Sequence, residues 1–357
     1  MTDLDPHGPF RYLEELKQLV SAVDSEANLT PAGRDRARAA FKNALAGQAH
    51  LGALYAAHPE IAELPVRPVF ITGLLRTGTT FLQHLLAGHP GLRSPELWEL
   101  MTPADPGPEA ALIAACEDYI AEYYRAAPAF RAIHHLDARL PEECHRLTAN
   151  SFRDPIYALR YRIPSYTAWL RTQSMVPAFE YHREQLRALL WRRPAPEGAP
   201  VVLKCPSHLW HLDELRAVYP GAKVIRMHRS PAVCLPSVSS LTAVVRAARS
   251  DTVDKREIGA YWLAEAERVL PGLRPEAGVL DVRYADLVRD PMGTAEKVCE
   301  FIGVELTRDA RAQMAPSAGS KPPRHEYTAG EFGLSRELLD ERFAGYLAGF
   351  GLSEEDR

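Results

Sequence analysis

The sequence predicts an α/β fold with a central parallel sheet. Three observations carry that prediction: four short apolar runs rich in β-branched residues, helical segments between them, and a glycine loop directly after the first run. The runs are Val69-Phe70-Ile71-Thr72, Val201-Val202-Leu203-Lys204, Lys223-Val224-Ile225-Arg226-Met227 and Val279-Leu280-Asp281-Val282-Arg283-Tyr284. Runs this short and this apolar suit strands buried on both faces, as parallel strands are.

In chain order, residues 10–60 read as helices. Leu13, Leu16, Leu19 and Val20 sit at helical spacing, and Thr30-Pro31 supplies a capping hydroxyl with proline at the first helical position. Leu64-Pro65-Val66-Arg67-Pro68 breaks the pattern before the first strand. Further helices are expected near 79–88, 208–219, 231–248 and 291–303, and an amphipathic one from Ser335. Residues 100–195 are mostly helical by pattern and interrupt the alternation of strand and helix. The expected organisation is an N-terminal helical segment, 1–64, then one α/β domain, 65–357, with a helical insertion near 100–195 that shapes a substrate cavity.

Composition narrows the function classes. The chain has 357 residues, 46% hydrophobic and 25% charged, enough to bury a core without disulfides. A formal net charge of −4 excludes a broad nucleic-acid-binding surface but leaves room for one local basic pocket. The five cysteines (Cys116, Cys144, Cys205, Cys234, Cys299) are scattered, with no CxxC pair, which suits free thiols in a reducing cytoplasm. The N-terminus lacks the basic start and apolar run of a signal peptide, and no stretch is long and apolar enough to span a membrane. No HExxH or Asp-rich loop is present. His208 and His211 share a helix face without an evident third ligand, so no metal is expected.

The glycine loop is Gly73-Leu74-Leu75-Arg76-Thr77-Gly78-Thr79-Thr80, followed by the apolar start of a helix at Phe81. Strand, glycine loop and helix together cradle phosphates, because backbone N–H groups and the helix N-terminus point at the anion. The spacing matches G-x-x-x-x-G-K-[ST], except that Thr79 stands where nucleotide triphosphatases keep a lysine. That replacement argues against a P-loop kinase. The loop carries its cation, Arg76, in the middle, which suits a shorter anion. A second anion site is expected after the third strand, where Met227-His228-Arg229-Ser230-Pro231 leads into a helix bearing Ser237 two turns on.

The two motifs, in this order and strand–helix context, resemble the sulfotransferases that use 3′-phosphoadenosine 5′-phosphosulfate (PAPS), most of all their bacterial branch. The resemblance covers roughly residues 66–350. It implies a P-loop-like three-layer α/β fold and transfer of a sulfuryl group from PAPS to a hydroxyl of a small-molecule acceptor. A non-catalytic nucleotide-binding member is the alternative. By the resemblance, Arg76, Thr77, Gly78, Thr79 and Thr80 hold the 5′-phosphosulfate, and Arg229 and Ser237 hold the 3′-phosphate. Phe81 and Tyr284 lie near the adenine, and Lys204 lies at the active site. Lys321-Pro322-Pro323-Arg324-His325 matches a basic loop that closes over the nucleotide. Leu75 replaces the family's usual proline before Arg76. Pro206 stands where animal and plant members place a catalytic histidine, so the general base must come from elsewhere.

Arg76, assisted by Lys204, is expected to neutralise charge on the bridging oxygen. Candidates for the base are Glu96 and Glu99 after the loop helix, Glu142, Glu143 and His145 in the insertion, and His208 after Lys204. Glu99 heads that set, followed by His208 and Glu143. Aromatic residues in the insertion, among them Tyr119, Tyr123, Tyr157, Tyr166 and Trp169, suit a largely apolar acceptor. A homodimer is compatible with all of this.

Overall fold

The computed structural model describes residues 12–314 and 326–352. The basic segment 321–325 lies outside the described residues. All four expected strands form: β1 Pro68–Gly73, β2 Val201–Lys204, β3 Lys223–His228 and β4 Val279–Arg283. They make one parallel sheet in the order β2-β1-β3-β4, with β1 central beside β2 and β3.

Alternation along the strands sorts the core into two layers. Phe70, Leu203 and Val224 face one side, where the N-terminal helices Leu13–Glu26 and Pro31–Ala57 and the helices Val176–Arg192 and Pro231–Ala247 bury their apolar stripes. Val69, Ile71, Val202 and Ile225 face the other side, against Thr79–Ala87 and Pro291–Ile302. The result is a three-layer arrangement with the sheet in the middle.

Local signals set the helix ends. Thr30 accepts a hydrogen bond from the Gly33 N–H at 2.9 Å, with Pro31 next, as the sequence suggests. The helix expected over 208–219 is split: the tight turn Pro206–His211 precedes Leu212–Val218. The one expected from Ser335 is also two pieces, Arg336–Arg342 and Ala344–Gly349. Lys255–Val269 forms a helix that sequence reading passed over, although Asp254 caps it and Ile258, Trp262 and Ala266 recur at four-residue spacing. Residues 100–195 are helical and irregular, as expected. They include Glu109–Ala126 and Val176–Arg192.

One polar group is built into the sheet. Arg226 on β3, 1% exposed, is held by Asp281 of β4 at 2.6 and 3.2 Å, and His228 bonds the same carboxylate at 2.7 Å. Phe350 stacks on His228 with ring centroids 4.0 Å apart. Burial pushes the Asp281 carboxyl up, but the bonds from His228 and Arg226 outweigh it and hold the group below the ordinary range. A depressed carboxyl contributes stability above its unfolded pKa and loses it as pH falls through the folded one. Asp281→Ala leaves a buried guanidinium short of its main partner and is expected to cost about 3–5 kcal/mol. Urea unfolding across the acid range checks both points: the deficit against wild type is expected to shrink as pH drops.

Candidate functional site

The glycine loop sits at the C-terminal edge of β1, and backbone geometry explains its residues. Gly73 has φ +152°, and a Cβ there would meet the Met227 carbonyl oxygen at 2.5 Å. Gly78 has φ +90° and caps the helix Thr79–Ala87, which has no side-chain cap. The helix's first N–H groups are therefore left facing the loop. Arg76 itself is left-handed, with φ +75°. A side chain in that region costs about 1–2 kcal/mol, strain of the kind concentrated at binding loops.

That strained turn brings the two predicted anion sites together. The Arg76 Nε donates to Ser237 Oγ at 3.2 Å, and one Arg76 Nη donates to the Ile133 carbonyl at 3.3 Å. Arg229 donates to the Arg76 carbonyl at 3.2 Å. Its Nε is buried and has no hydrogen-bond partner among the described residues. Burial presses the Arg76 guanidinium below its ordinary value, and Arg229 adds to that. Two cations share this corner, and neither forms an ion pair with a carboxylate among the described residues. An anion bound here would meet preformed donors. Thr77 turns inward, donating to the Leu74 carbonyl at 2.7 Å, so it braces the loop. Thr79 is buried at the helix start, Thr80 is half-buried, and Phe81 packs on the apolar layer below the helix.

Tyr284 lies at the same corner as Arg229 and the loop. Its ring lies under the Arg229 guanidinium, 3.9 Å from centroid to Cζ. The same ring approaches Gly78 so closely that a Cβ there would come within 2.6 Å. Tyr284 thus buttresses the loop and orients Arg229 through a cation–π contact. Gly78→Ala combines that overlap with a left-handed side chain, so a loss of at least about 1–2 kcal/mol is expected. Comparing urea midpoints of Gly78→Ala and wild type checks it.

The candidate bases separate cleanly. Glu99 is 3% exposed, ion-paired with Arg93 and bonded to the Glu96 N–H at 2.7 Å. It closes a capping box on the short helix Leu97–Met101 and lines a separate cavity with Trp98 and Thr102. The Glu96/Glu99 spacing already carried that capping signature. His208 also misses the cleft, because the turn Pro206–His211 points Ser207, Trp210 and His211 outward and His208 inward. It is 2% exposed and packs edge-on against Phe70 and Phe179.

Glu143 does reach the cleft. The segment around it pairs with the end of β2 through a parallel bridge to Lys204, and the Cys144 N–H donates to the Lys204 carbonyl at 2.9 Å. Lys204 is fully buried, with its Nζ 2.8 Å from Glu143 Oε1 and 3.6 Å from Glu142 Oε1. Burial pulls its ammonium down, but Glu143 and Glu142 more than compensate and hold it above its ordinary value. Lys204 is thus committed to these carboxylates. The other Glu143 oxygen, Oε2, faces His145 Nδ1 at 3.0 Å. Burial raises the Glu143 carboxyl, and Lys204 and His145 together drive it well below the usual range. His145 was a candidate from sequence but stood behind three others. The signal for it is the Glu-x-His spacing, which puts the imidazole beside a fixed carboxylate.

Two cavities meet at this pair. Leu75, Glu143, His145, Ile156 and Leu159 line both. One cavity is walled by Leu170, Trp210, Tyr261 and Trp262. The other, about 600 Å³, holds Tyr119, Tyr123, Arg146 and Arg160. Leu75 is the residue before Arg76, so the cleft opens beside the anion loop. The arrangement can hold a phosphate-like group at the loop, place an apolar molecule in the cleft, and present a histidine in the cleft wall.

A strand, a phosphate-type loop without its lysine, paired arginines and an adjoining apolar cleft define a transferase of small anionic groups. The model of the sulfotransferase family matches residues 68–308. This chain belongs to the sulfotransferase family, whose enzymes move a sulfuryl group onto an acceptor. The crystal structure of sulfotransferase STF1 from Mycobacterium tuberculosis H37Rv is 30% identical. It covers 94% of this chain and 92% of its own, with a TM-score of 0.81. Sulfotransferase STF9 from Mycobacterium avium is 26% identical over 99% of this chain and 94% of its own, at 0.84. A curated relative, the omega-hydroxy-beta-dihydromenaquinone-9 sulfotransferase Stf3 of Mycobacterium bovis, is 24% identical over 80% of this chain and 75% of its own length. Among the described residues, no helix is long and apolar enough to cross a membrane.

Proposed function

We propose that this enzyme transfers the sulfuryl group of PAPS to a hydroxyl of a small, largely apolar acceptor. The reading rests chiefly on the corner where Arg76, Ser237 and Arg229 converge on the glycine loop, directly beside the cleft. The orphaned Arg229 Nε and the free N–H groups of the loop helix fit a nucleotide carrying two anionic groups. Arg76 and the loop N–H groups would hold the 5′-phosphosulfate, and Arg229 with Ser237 the 3′-phosphate. PAPS supplies the activated sulfuryl group.

His145 acts as the general base. With Nδ1–H donated to Glu143, its Nε2 carries the lone pair; an Arg160 N–H points at that nitrogen from 3.4 Å, and the acceptor hydroxyl takes its place on binding. Glu143, itself too acidic to be an effective base, fixes the ring and stabilises the imidazolium that forms. Lys204 keeps Glu143 ionised and in place. The acceptor oxygen bonds to sulfur, its proton passes to His145, and the sulfur–oxygen bond to the phosphate breaks. Arg76 neutralises the charge that gathers on the departing oxygen. The apolar walls of the cavity lined by Leu170, Trp210 and Trp262 favour an acceptor like the hydroxylated menaquinone in the curated relative's name over a sugar.

The test is sulfuryl transfer from radiolabelled PAPS to three acceptor pools: long-chain or isoprenoid alcohols, phenols, and sugars. Labelled product in the apolar pools, with release of adenosine 3′,5′-bisphosphate, is the expected result. Tight binding of that bisphosphate without transfer to any pool overturns the catalytic reading.

A further inference from the structure

On the Phe70 side of the sheet, behind the catalytic pair, four side chains with metal-ligating atoms converge. Cys144 follows Glu143, Cys205 follows Lys204, His182 comes from Val176–Arg192, and His208 from the turn Pro206–His211. Their exposures are 0%, 1%, 0% and 2%. Cys144 Sγ lies 3.3 Å from His208 Nε2. The ligand atoms of Cys144, His182 and His208 all fall within 4.8 Å of one another. The Cys205 thiol is buried beside this trio, with Ser207 Oγ 3.0 Å from its sulfur.

One observation separates this cluster from ordinary core packing. His182 Nε2 is buried and has no hydrogen-bond partner among the described residues, while its Nδ1 is fixed by the Tyr219 hydroxyl at 2.6 Å. An unsatisfied buried polar atom costs about 1–3 kcal/mol. A histidine in this cluster with one nitrogen held by an outer partner and the other left without one matches the pattern of metal-ligating histidines. We propose that Cys144, His182 and His208 form the core of a buried site for a zinc-class divalent cation, and that the Cys205 thiolate, which lies outside that trio, moves in as the fourth ligand and closes it.

The geometry and charge agree. Zinc–sulfur and zinc–nitrogen bond lengths place tetrahedral ligand atoms roughly 3.3–3.8 Å apart, and the Cys144–His208 pair already meets that. Two thiolates cancel the charge of the cation, so the filled site is neutral, as its apolar wall of Phe70 and Phe179 requires. Each thiol loses a proton on binding, and the site's burial means the metal enters during folding. Four ligands leave no open position, so the role is structural. The cation would tie the end of β2 to the Glu143 segment, one residue from both Lys204 and Glu143. The ligands come from three separated stretches of chain, which is why spacing alone did not reveal a third partner for His208.

The experiment uses the full chain, purified without a histidine tag after expression in medium supplied with zinc or with cobalt. About one zinc per chain, retained through desalting, is expected for a closed four-ligand site. The cobalt form is expected to show the visible bands of tetrahedral cobalt and thiolate charge transfer. Cys205→Ser and His182→Gln are expected to lower metal content several-fold, whereas Cys116→Ser is not. The wild-type measurement stands even where a variant fails to fold. A folded, metal-free wild-type protein from both media overturns the proposal. So does intact-mass evidence of a Cys144–Cys205 disulfide in protein kept under reducing conditions.

Discussion

Arg76→Ala is expected to lower turnover by about 10²–10³-fold, the usual effect of removing one preorganised charge-stabilising donor. Arg76 is the loop's own cation, and it makes the one side-chain link from the glycine loop to Ser237. Its loss therefore weakens both the charge stabilisation and the coupling of the two anion sites. Arg76→Lys is not a conservative rescue, because an ammonium cannot reach Ser237 and the Ile133 carbonyl in one fork. Backbone strain adds a second, separable expectation. With φ +75° at this position, Arg76→Gly is expected to be as inactive as Arg76→Ala but more stable by about 1 kcal/mol, since glycine adopts the left-handed region without strain. Steady-state kinetics with PAPS, together with urea unfolding of the three variants, read both effects. Wild-type turnover in Arg76→Ala would remove Arg76 from the mechanism.

His145→Gln is expected to reduce kcat by about 10²–10⁴-fold, as loss of a general base does. Binding of adenosine 3′,5′-bisphosphate should be unchanged, because His145 touches the cleft and not the loop. Glu143→Gln is expected to lower kcat as well, since the ring loses its anionic anchor. It also carries a stability cost that His145→Gln lacks. Lys204 is completely buried and would keep only Glu142, at 3.6 Å, as a carboxylate partner. Removing one side of a buried pair costs about 3–5 kcal/mol, at the lower end where a second carboxylate remains. Glu99→Gln serves as the contrast: it loosens a helix cap and should leave kcat intact. Thermal unfolding, bisphosphate titration and single-turnover kinetics distinguish the three. A His145→Gln enzyme with wild-type kcat would return the base role to Glu143.

The fold was legible because β1 and β2 are buried on both faces and β3 nearly so, which makes them short runs rich in apolar β-branched residues, and β4 keeps enough of that pattern to stand out. The glycine loop was legible for a similar reason: Gly73 and Gly78 take backbone conformations and close approaches that few residues tolerate. His145, the base proposed above, was less legible, because it lies in the segment 100–195, whose placement over the sheet depends on long-range contacts such as the bridge from Glu143 to Lys204. Position after the loop helix favoured Glu99. The local capping box at Glu96 and Glu99 outweighed that argument and drew the carboxylate away. Tyr284 shows the same limit. A strand-end tyrosine is visible in sequence, but its stacking on Arg229 and contact with Gly78 depend on how β3, β4 and the loop come together.

The strand order has a consequence for how the chain acquires its shape. β1 lies in the middle of the sheet, yet its neighbours β2 and β3 both lie beyond the helical insertion, with Pro68 aligned to Val201 and Val69 to Lys223. During synthesis the anion loop therefore emerges on a strand that has no partner until most of the polypeptide has left the ribosome. Closing so long an intervening loop before any pairing is gained slows folding and leaves an apolar strand exposed meanwhile. The segment that lines much of the cleft thus also sets the pace of assembly. Shortening it should speed refolding even where it abolishes turnover.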